Sequence, residues 1–374
     1  GKAPLYACSD PIPERLEFLL KDFREAYFRL LSESTINEIL PTATYNPKDK
    51  TFNLHLDVSM DDKVALSFGG GLSTSNINQV YYGLNYNHLR RYSTEVQLDG
   101  QFGRMYNNVQ LMGRLNVPTD IPMSLRILGS HSKLNHFESS FLFSDNAMPA
   151  LNRQAETFGK VKLALPFMTK HKVELGLGYG KIVDHYIQNN TIDLANLQYN
   201  TNTYHLLGGS VLFKRNSLNT PQYAPKGVAQ QILAQIFTGT NTYHPVVEQP
   251  GVSTEEAVSW LQIGIKDQHY LALSPHFTLG TYAEGYYSSR NLAYDYTATM
   301  LEAGVFAPTP SMLFAYNPTF RANQYVAAGI KPVYMFSSYL QLRFEAYAFV
   351  PIYPIVSNAE GRAYYGRPFS TIAH

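Results

Sequence analysis

Charged residues recur at alternate positions inside otherwise apolar runs, and they are the first candidates for chemistry. Glu95 and Asp99 share a face of the run ending at Phe102, and Arg114 lies on the polar side of Val109 to Val117. Lys162 and Glu174 occupy the polar sides of two later runs, while Arg343 and Glu345 stand two apart between Leu340 and Val350. Carboxylates held near each other or near a cation could form a general acid–base pair. A hydrated polar lumen lined by both signs accounts for all of these residues at once, and is the simpler reading.

Other motifs that could carry chemistry are weaker. Gly69-Gly70-Gly71 before Ser73-Thr74-Ser75 lacks the Gly-Lys-Ser/Thr ending and the following helix of a phosphate cradle, so a bending strand explains it better. Gly176-x-Gly178-x-Gly180 lies inside an alternating run and is no nucleotide fingerprint. The chain has 11 His, but no HExxH and no close Cys/His cluster; His131 and His136, five apart on a strand, point to opposite faces. Cys8 is the single cysteine, which excludes an intrachain disulfide; Leu5-Tyr6-Ala7-Cys8 without a basic, apolar leader reads as an ordinary free thiol rather than a lipoprotein site. No Gly-x-Ser-x-Gly elbow is present, and no spacing selects a Ser–His pair. Asn189-Asn190-Thr191 is formally a glycosylation sequon, to which no role is given.

The elements that position these residues change character along the chain. Leu16, Leu19, Leu20, Phe23, Tyr27, Leu30 and Leu31 recur at helical spacing, and Ser32 to Leu40 reads as a second short helix stopped by Pro41. Thr42 to Tyr45, a turn at Asn46-Pro47-Lys48-Asp49, and Thr51 to Val58 read as a β-hairpin. Beyond Asp62 the period becomes two. Val96, Leu98, Gly100 and Phe102 oppose Glu95, Gln97, Asp99 and Gln101; Val173, Leu175, Leu177 and Tyr179 oppose Lys172, Glu174 and Gly176; Ile232, Ala234 and Ile236 oppose Gln231 and Gln235. Apolar stripes of about ten residues suffice for a tilted strand to cross a bilayer. About thirteen such strands are expected between Val64 and Pro351. Tight connections at Pro118–Pro122 and Met168–Lys170 alternate with long polar ones near 137–153, 186–202, 239–256 and 289–320.

Composition agrees. Of 374 residues, 16% are charged, against about 25% in a typical soluble domain. Aromatics reach 13%, with 28 Tyr, 21 Phe and one Trp, as suits a surface meeting both lipid and water. The net charge of +1, spread along the chain, leaves no basic footprint for nucleic acid. No apolar run approaches the roughly 20 residues of a spanning helix, which is neutral for a barrel because its two faces average out. A soluble β-sandwich or propeller also alternates. Its strands are shorter, and its inward residues are bulkier than the Gly and Ala found here.

Phe23 to Leu31, Pro41 to Asn46 and Phe68 to Ser73 resemble the C-terminal part of bacterial patatin-like phospholipases that end in a surface-antigen, BamA-like barrel. Glu156 to Val161 and Ala322 to Ala327 extend the resemblance over nearly the whole chain. It implies that residues 1–62 are the end of a POTRA-like periplasmic α+β domain. Residues 63–374 are then an all-β, antiparallel transmembrane β-barrel of the sixteen-stranded type in the bacterial outer membrane. The chain ends in an irregular polar stretch at Ala373-His374 rather than an amphipathic closing strand, so the barrel reads as about three strands short at its C-terminus.

The function implied is anchoring, with possible translocation, of a patatin-like lipid acyl hydrolase whose catalytic domain lies upstream of Gly1. The alternatives are a BamA- or TamA-like assembly or translocation factor, and a porin-like channel, against which the helix-plus-hairpin segment counts. The expected partners are the lipid bilayer, phospholipid and lipopolysaccharide, and the barrel assembly machinery that inserts the chain; no nucleic acid, cofactor, metal or catalytic residue is assigned. The family's lid-loop Arg-Gly-aromatic tripeptide is absent in that form. Arg321 sits where its arginine would, with Asn323, Gln324 and Tyr325 beside it, and is expected to reach an acid on the inner wall. Glu95, Asp99, Arg114, Glu174, Arg343 and Glu345 are the expected lumen-facing charges.

Overall fold

A computed structural model describes residues 36–46, 51–60, 63–71, 78–89, 92–117, 123–136, 152–167, 171–187, 198–219, 224–246, 255–293, 295–309, 312, 317–337 and 340–369. The periodic stretch Leu16 to Leu31, Cys8 and the sequon at Asn189 lie outside them. The chain begins, within this range, with β1 (Ile36–Asn46) and β2 (Thr51–Met60), paired as an antiparallel hairpin separate from the main sheet. Ile36 to Leu40 is therefore strand, where the sequence suggested a second helix. Leu40 opposite Asp57 and Ile39 opposite Val58 supply ladder partners that override the local helical spacing.

The main sheet follows in chain order: β3 (Val64–Gly71), β4 (Gln79–Leu89), β5 (Ser93–Gly103), β6 (Tyr106–Val117), β7 (Met123–His136), β8 (Asn152–Phe167), β9 (His171–Tyr186), β10 (Asn200–Asn216), β11 (Gly227–His244), β12 (Glu255–Ala272), β13 (Phe277–Ser288), β14 (Gln324–Met335), β15 (Gln341–Arg343) and β16 (Ala346–Pro351). From β3 to β15 every neighbour in sequence is a neighbour in space, and with β16 this gives one 14-stranded antiparallel sheet. Its hydrogen-bonded path ends at β3 on one side and at β15 and β16, both paired with β14, on the other. A small hairpin of β17 (Ile355–Ser357) and β18 (Ala363–Tyr365) follows.

The Leu340 to Val350 run is divided rather than continuous. β14 pairs with β15 at Val333 to Met335 and with β16 at Tyr325 to Ile330. Between these lies Pro332, which has no N–H to give; its carbonyl accepts from the Phe344 N–H instead (3.1 Å).

Connections are short after β6, β8 and β12, spanning 118–122, 168–170 and 273–276, and long after β7, β9 and β13, spanning 137–151, 187–199 and 289–323. The expected long connection near 239–256 is narrower, because β11 runs on to His244. Tight turns are closed by side chains: Ser274 Oγ accepts from the Phe277 N–H (3.0 Å). Gly227 opens β11 at φ +108°, where a Cβ would lie 2.2 Å from the Ser217 carbonyl oxygen.

The two faces of the sheet differ as the dyad rhythm requires. One carries large apolar side chains open to the surroundings: Leu66, Phe68, Leu84, Leu98, Leu111, Ile127, Val161, Leu177, Val211, Ile236, Ile265, Ile330 and Leu342. Leu177, in mid-strand, is 70% exposed. The other face is polar, and it receives the β13–β14 connection. The buried hydrophobic clusters are small and lie on this second, inner face, around α1 (Tyr296–Glu302) and around Phe306. Burial is thus organised against an internal segment, with no second sheet covering the apolar face among the described residues.

Candidate functional site

The β13–β14 connection forms a short helix that is locally self-sufficient at its start. Asp295 caps α1: its Oδ1 accepts from the Ala298 N–H (2.8 Å), and Thr299 Oγ1 donates back to the Asp295 carbonyl (2.8 Å). The second carboxylate oxygen of Asp295 accepts from the Tyr186 hydroxyl at the end of β9 (2.7 Å), which moors the helix to the wall. Ala298, Met300 and Leu301 are buried on either side of that mooring.

The other end of α1 is held by ionic contacts. Glu302, the last helical residue, places a carboxylate where the helix dipole disfavours it. Arg290 offsets this across 3.2 Å, and the Tyr204 hydroxyl of β10 donates to the same carboxylate. The Arg290 guanidinium also lies 4.7 Å from the Tyr204 ring centroid and 4.4 Å from that of Trp260 in β12, a cation–π arrangement on both rings. Burial pushes the Glu302 carboxyl above its ordinary range, against the pull of Arg290, and burial raises Asp295 as well, against its hydrogen bonds from Ala298 and Tyr186.

Arg321 donates from one guanidinium nitrogen to the carbonyls of Met300 (2.9 Å) and Leu301 (3.0 Å), satisfying helix-end acceptors. It is buried, and its backbone forms an isolated bridge with Val305. Asn323 Nδ2 donates to the Tyr365 hydroxyl (2.9 Å) and the Arg290 carbonyl (3.3 Å). The Tyr325 hydroxyl donates to Glu284 on β13 (2.8 Å), which also meets Lys266 on β12 (3.1 Å). Gln324 is register partner to Tyr287 and falls on the opposite, outward face. The lid-loop residues thus divide: Arg321 serves the helix end, Asn323 the β18 hairpin and the Arg290 backbone, Tyr325 the wall.

Glu95, Asp99, Arg114, Glu174, Arg343 and Glu345 lie on the polar face of the sheet and have partners there. Arg114 meets Glu95 at 3.3 Å; Asp99 accepts from the Tyr81 hydroxyl (2.6 Å) and from Gln97 (2.8 Å). Glu174 takes Lys172 (2.5 Å) and Arg126 (3.7 Å). Arg343 approaches Glu345 at 3.6 Å and donates to the Tyr270 hydroxyl (2.9 Å) and the Ala224 carbonyl (3.0 Å). That last contact ties β15 to the β10–β11 connection across the interior. Among the described residues no three His, Cys, Asp or Glu side chains converge as metal ligands.

The residues that hold the connection in place, Tyr186, Tyr204, Trp260, Arg290, Asp295 and Glu302, are absent from the sequence-derived set. One signal pointed to them: Asp295 followed by Ala298, Met300 and Leu301 is a capped apolar turn inside a segment otherwise read as a polar loop.

No family model matches the chain, and no curated protein matches it. Among solved structures, BamA from Haemophilus ducreyi lacking POTRA domains 1–3 superposes with a TM-score of 0.56 at 13% identity, covering 88% of this chain and 66% of that one. The chain therefore spans just under two thirds of that BamA structure. CdiB from Acinetobacter baumannii (TM-score 0.29, 9% identity, 88% and 64% covered) and the copper transporter OprC (0.38, 11%, 89% and 57%) are weaker likenesses on which nothing rests. The likeness to BamA establishes the fold: an all-β, antiparallel sheet of the BamA barrel type.

Proposed function

We propose that this chain is an outer-membrane β-barrel of the BamA type, with its interior occupied by the β13–β14 connection, working in the insertion or translocation of other outer-membrane polypeptides. The carrying observation is the outward row of exposed Leu, Ile, Val and Phe from β3 to β15, backed on the inner face by paired charges. Water penalises such a surface and hydrocarbon does not. Lipid also demands that backbone groups be paired, so the two ends of the sheet matter. β3 is short and exposed at every residue, and the opposite end is split at Pro332 into β15 and β16. Two such edges make a weak seam, and a weak seam offers backbone donors and acceptors to an incoming strand.

In this reading the barrel itself is inserted by the barrel assembly machinery, contacts phospholipid and lipopolysaccharide, and keeps its N-terminal hairpin on the periplasmic side. The test is to reconstitute the chain in phospholipid vesicles, add a urea-unfolded eight-stranded barrel, and follow the client's appearance as a folded, heat-modifiable gel band. Vesicles holding the protein should fold the client several-fold faster than empty vesicles. Equal rates would remove the assembly reading.

A second reading, a membrane anchor for a patatin-like lipid acyl hydrolase, is favoured by the resemblance at Phe23 to Leu31, Pro41 to Asn46 and Phe68 to Ser73. It requires a Gly-x-Ser-x-Gly domain encoded upstream of Gly1 and release of fatty acid by the protein that includes it. An upstream sequence without that elbow ends this reading.

A further inference from the structure

Between α1 and the wall of β9, β10, β11 and β12 lies a cavity of about 340 Å³. Its lining is polar for so sheltered a place: Asn202, Asn241, Asn291, Arg290 and Glu302 contribute, with Tyr and Trp rings between them. Trp260 is 5% exposed, and its buried indole N–H has no hydrogen-bond partner among the described residues. The buried side-chain carbonyl oxygen of Asn241 on β11 is likewise without one. Two residues of the lining thus hold an unmet donor and an unmet acceptor, and each carries a desolvation cost that a polar group reaching it would relieve.

We propose that this cavity binds an uncharged polyhydroxylated ligand, a short neutral saccharide. Three features select that class. The unmet groups include both a donor and an acceptor, which a hydroxyl can serve in either role. Among the described lining residues the one guanidinium is already committed to Glu302 at 3.2 Å and to the faces of Tyr204 and Trp260, so none of them offers a free cation to a phosphate or carboxylate. Glu256, Asp295 and Glu302 add acidic character to the lining, which disfavours anions further. The volume exceeds that of one water by about tenfold and suits one or two sugar rings. The inference does not depend on the assembly reading, since the cavity is built from the docked connection and the wall alone.

The chain contains one tryptophan, and that tryptophan lines the cavity, so its fluorescence reports occupancy directly. The full chain, folded in a detergent without a sugar headgroup and checked by heat-modifiable migration, is titrated with maltose, N,N′-diacetylchitobiose, galacturonic acid and glucosamine. Saturable change of the emission by a neutral sugar, weakened about tenfold in Asn241→Ala while that variant keeps its folded migration, is the expected result. The proposal is overturned by a flat emission with every neutral sugar, which leaves only water in the cavity. A response confined to the acidic or the amino sugar overturns it too, as does an unchanged titration in folded Asn241→Ala. If Asn241→Ala fails to fold, Asn202→Ala, at a buried lining residue on β10, takes its place under the same criterion.

Discussion

Arg290 and Glu302 meet at 3.2 Å where the β13–β14 connection turns back on itself, with the guanidinium against the rings of Tyr204 and Trp260. A residue just past β13 is thereby joined to the end of α1 and, through aromatic faces, to β10 and β12. One ion pair couples the internal segment to the wall that surrounds it.

Removing one member of this pair leaves the other buried and uncompensated. Arg290→Ala should cost about 3–5 kcal/mol of stability. The measurement is the urea midpoint of the folded band in vesicles, with Arg362→Ala, whose Glu360 contact is open to solvent, as the variant expected to change little.

The docking of α1 should weaken as pH rises. Burial raises the carboxyls of Glu302 and Asp295 above their ordinary values of 4.5 and 3.8. Raised acids bind more protons in the docked state than when released. Their stabilising contribution is therefore complete below the ordinary values and is lost as pH climbs through the raised ones. Proteolysis within residues 289–320 of the reconstituted protein should be slower at pH 5 than at pH 8, and Glu302→Gln should flatten the difference. Faster cleavage at pH 5 would contradict the sign.

A charge on the outward face should be costly only if that face meets lipid. Leu177→Arg, at a position 70% exposed in the middle of β9, should lower the folding free energy in vesicles by about 2–4 kcal/mol. The inner-face change Gln235→Arg should be tolerated. In a water-soluble sheet Leu177→Arg would be close to neutral, so the pair of variants separates the two surroundings.

Close strand packing sets a different limit. A Cβ at Gly239 would lie 1.8 Å from the His205 carbonyl oxygen, and backbone cannot swing aside as a side chain can. Gly239→Ala should cost about 1–3 kcal/mol through a shift in the β10–β11 ladder. Gly113→Ala, where no atom lies within 4 Å of the new methyl, should fold as the parent does. Both are read from the fraction migrating as folded barrel without heating.

Most strands between Val64 and Pro351 were legible because alternation is local: the pleat sends Val96 and Leu98 one way and Glu95 and Gln97 the other wherever the chain is extended. The short and long connections were legible for the same reason, since polar residues accumulate where the rhythm lapses. Local spacing misled at Ile36 to Leu40, where a ladder partner decided the matter, and across Phe344 and Glu345, where the interruption comes from Pro332 on the neighbouring strand. The charges of the inner wall could be assigned to a face but not to each other. Arg114 finds Glu95 only because β5 and β6 register those two residues as neighbours.

From its residues alone this chain determined a two-faced β-sheet with an apolar outside, because each residue's choice of face follows from its neighbours two positions away. Which inner residues touch was decided by tertiary structure. Tyr186 and Asp295 are 109 positions apart, and Tyr204 and Glu302 are 98. Such pairs form only once the sheet's successive registers have accumulated and the connection has folded back onto its wall, and no local period encodes that sum.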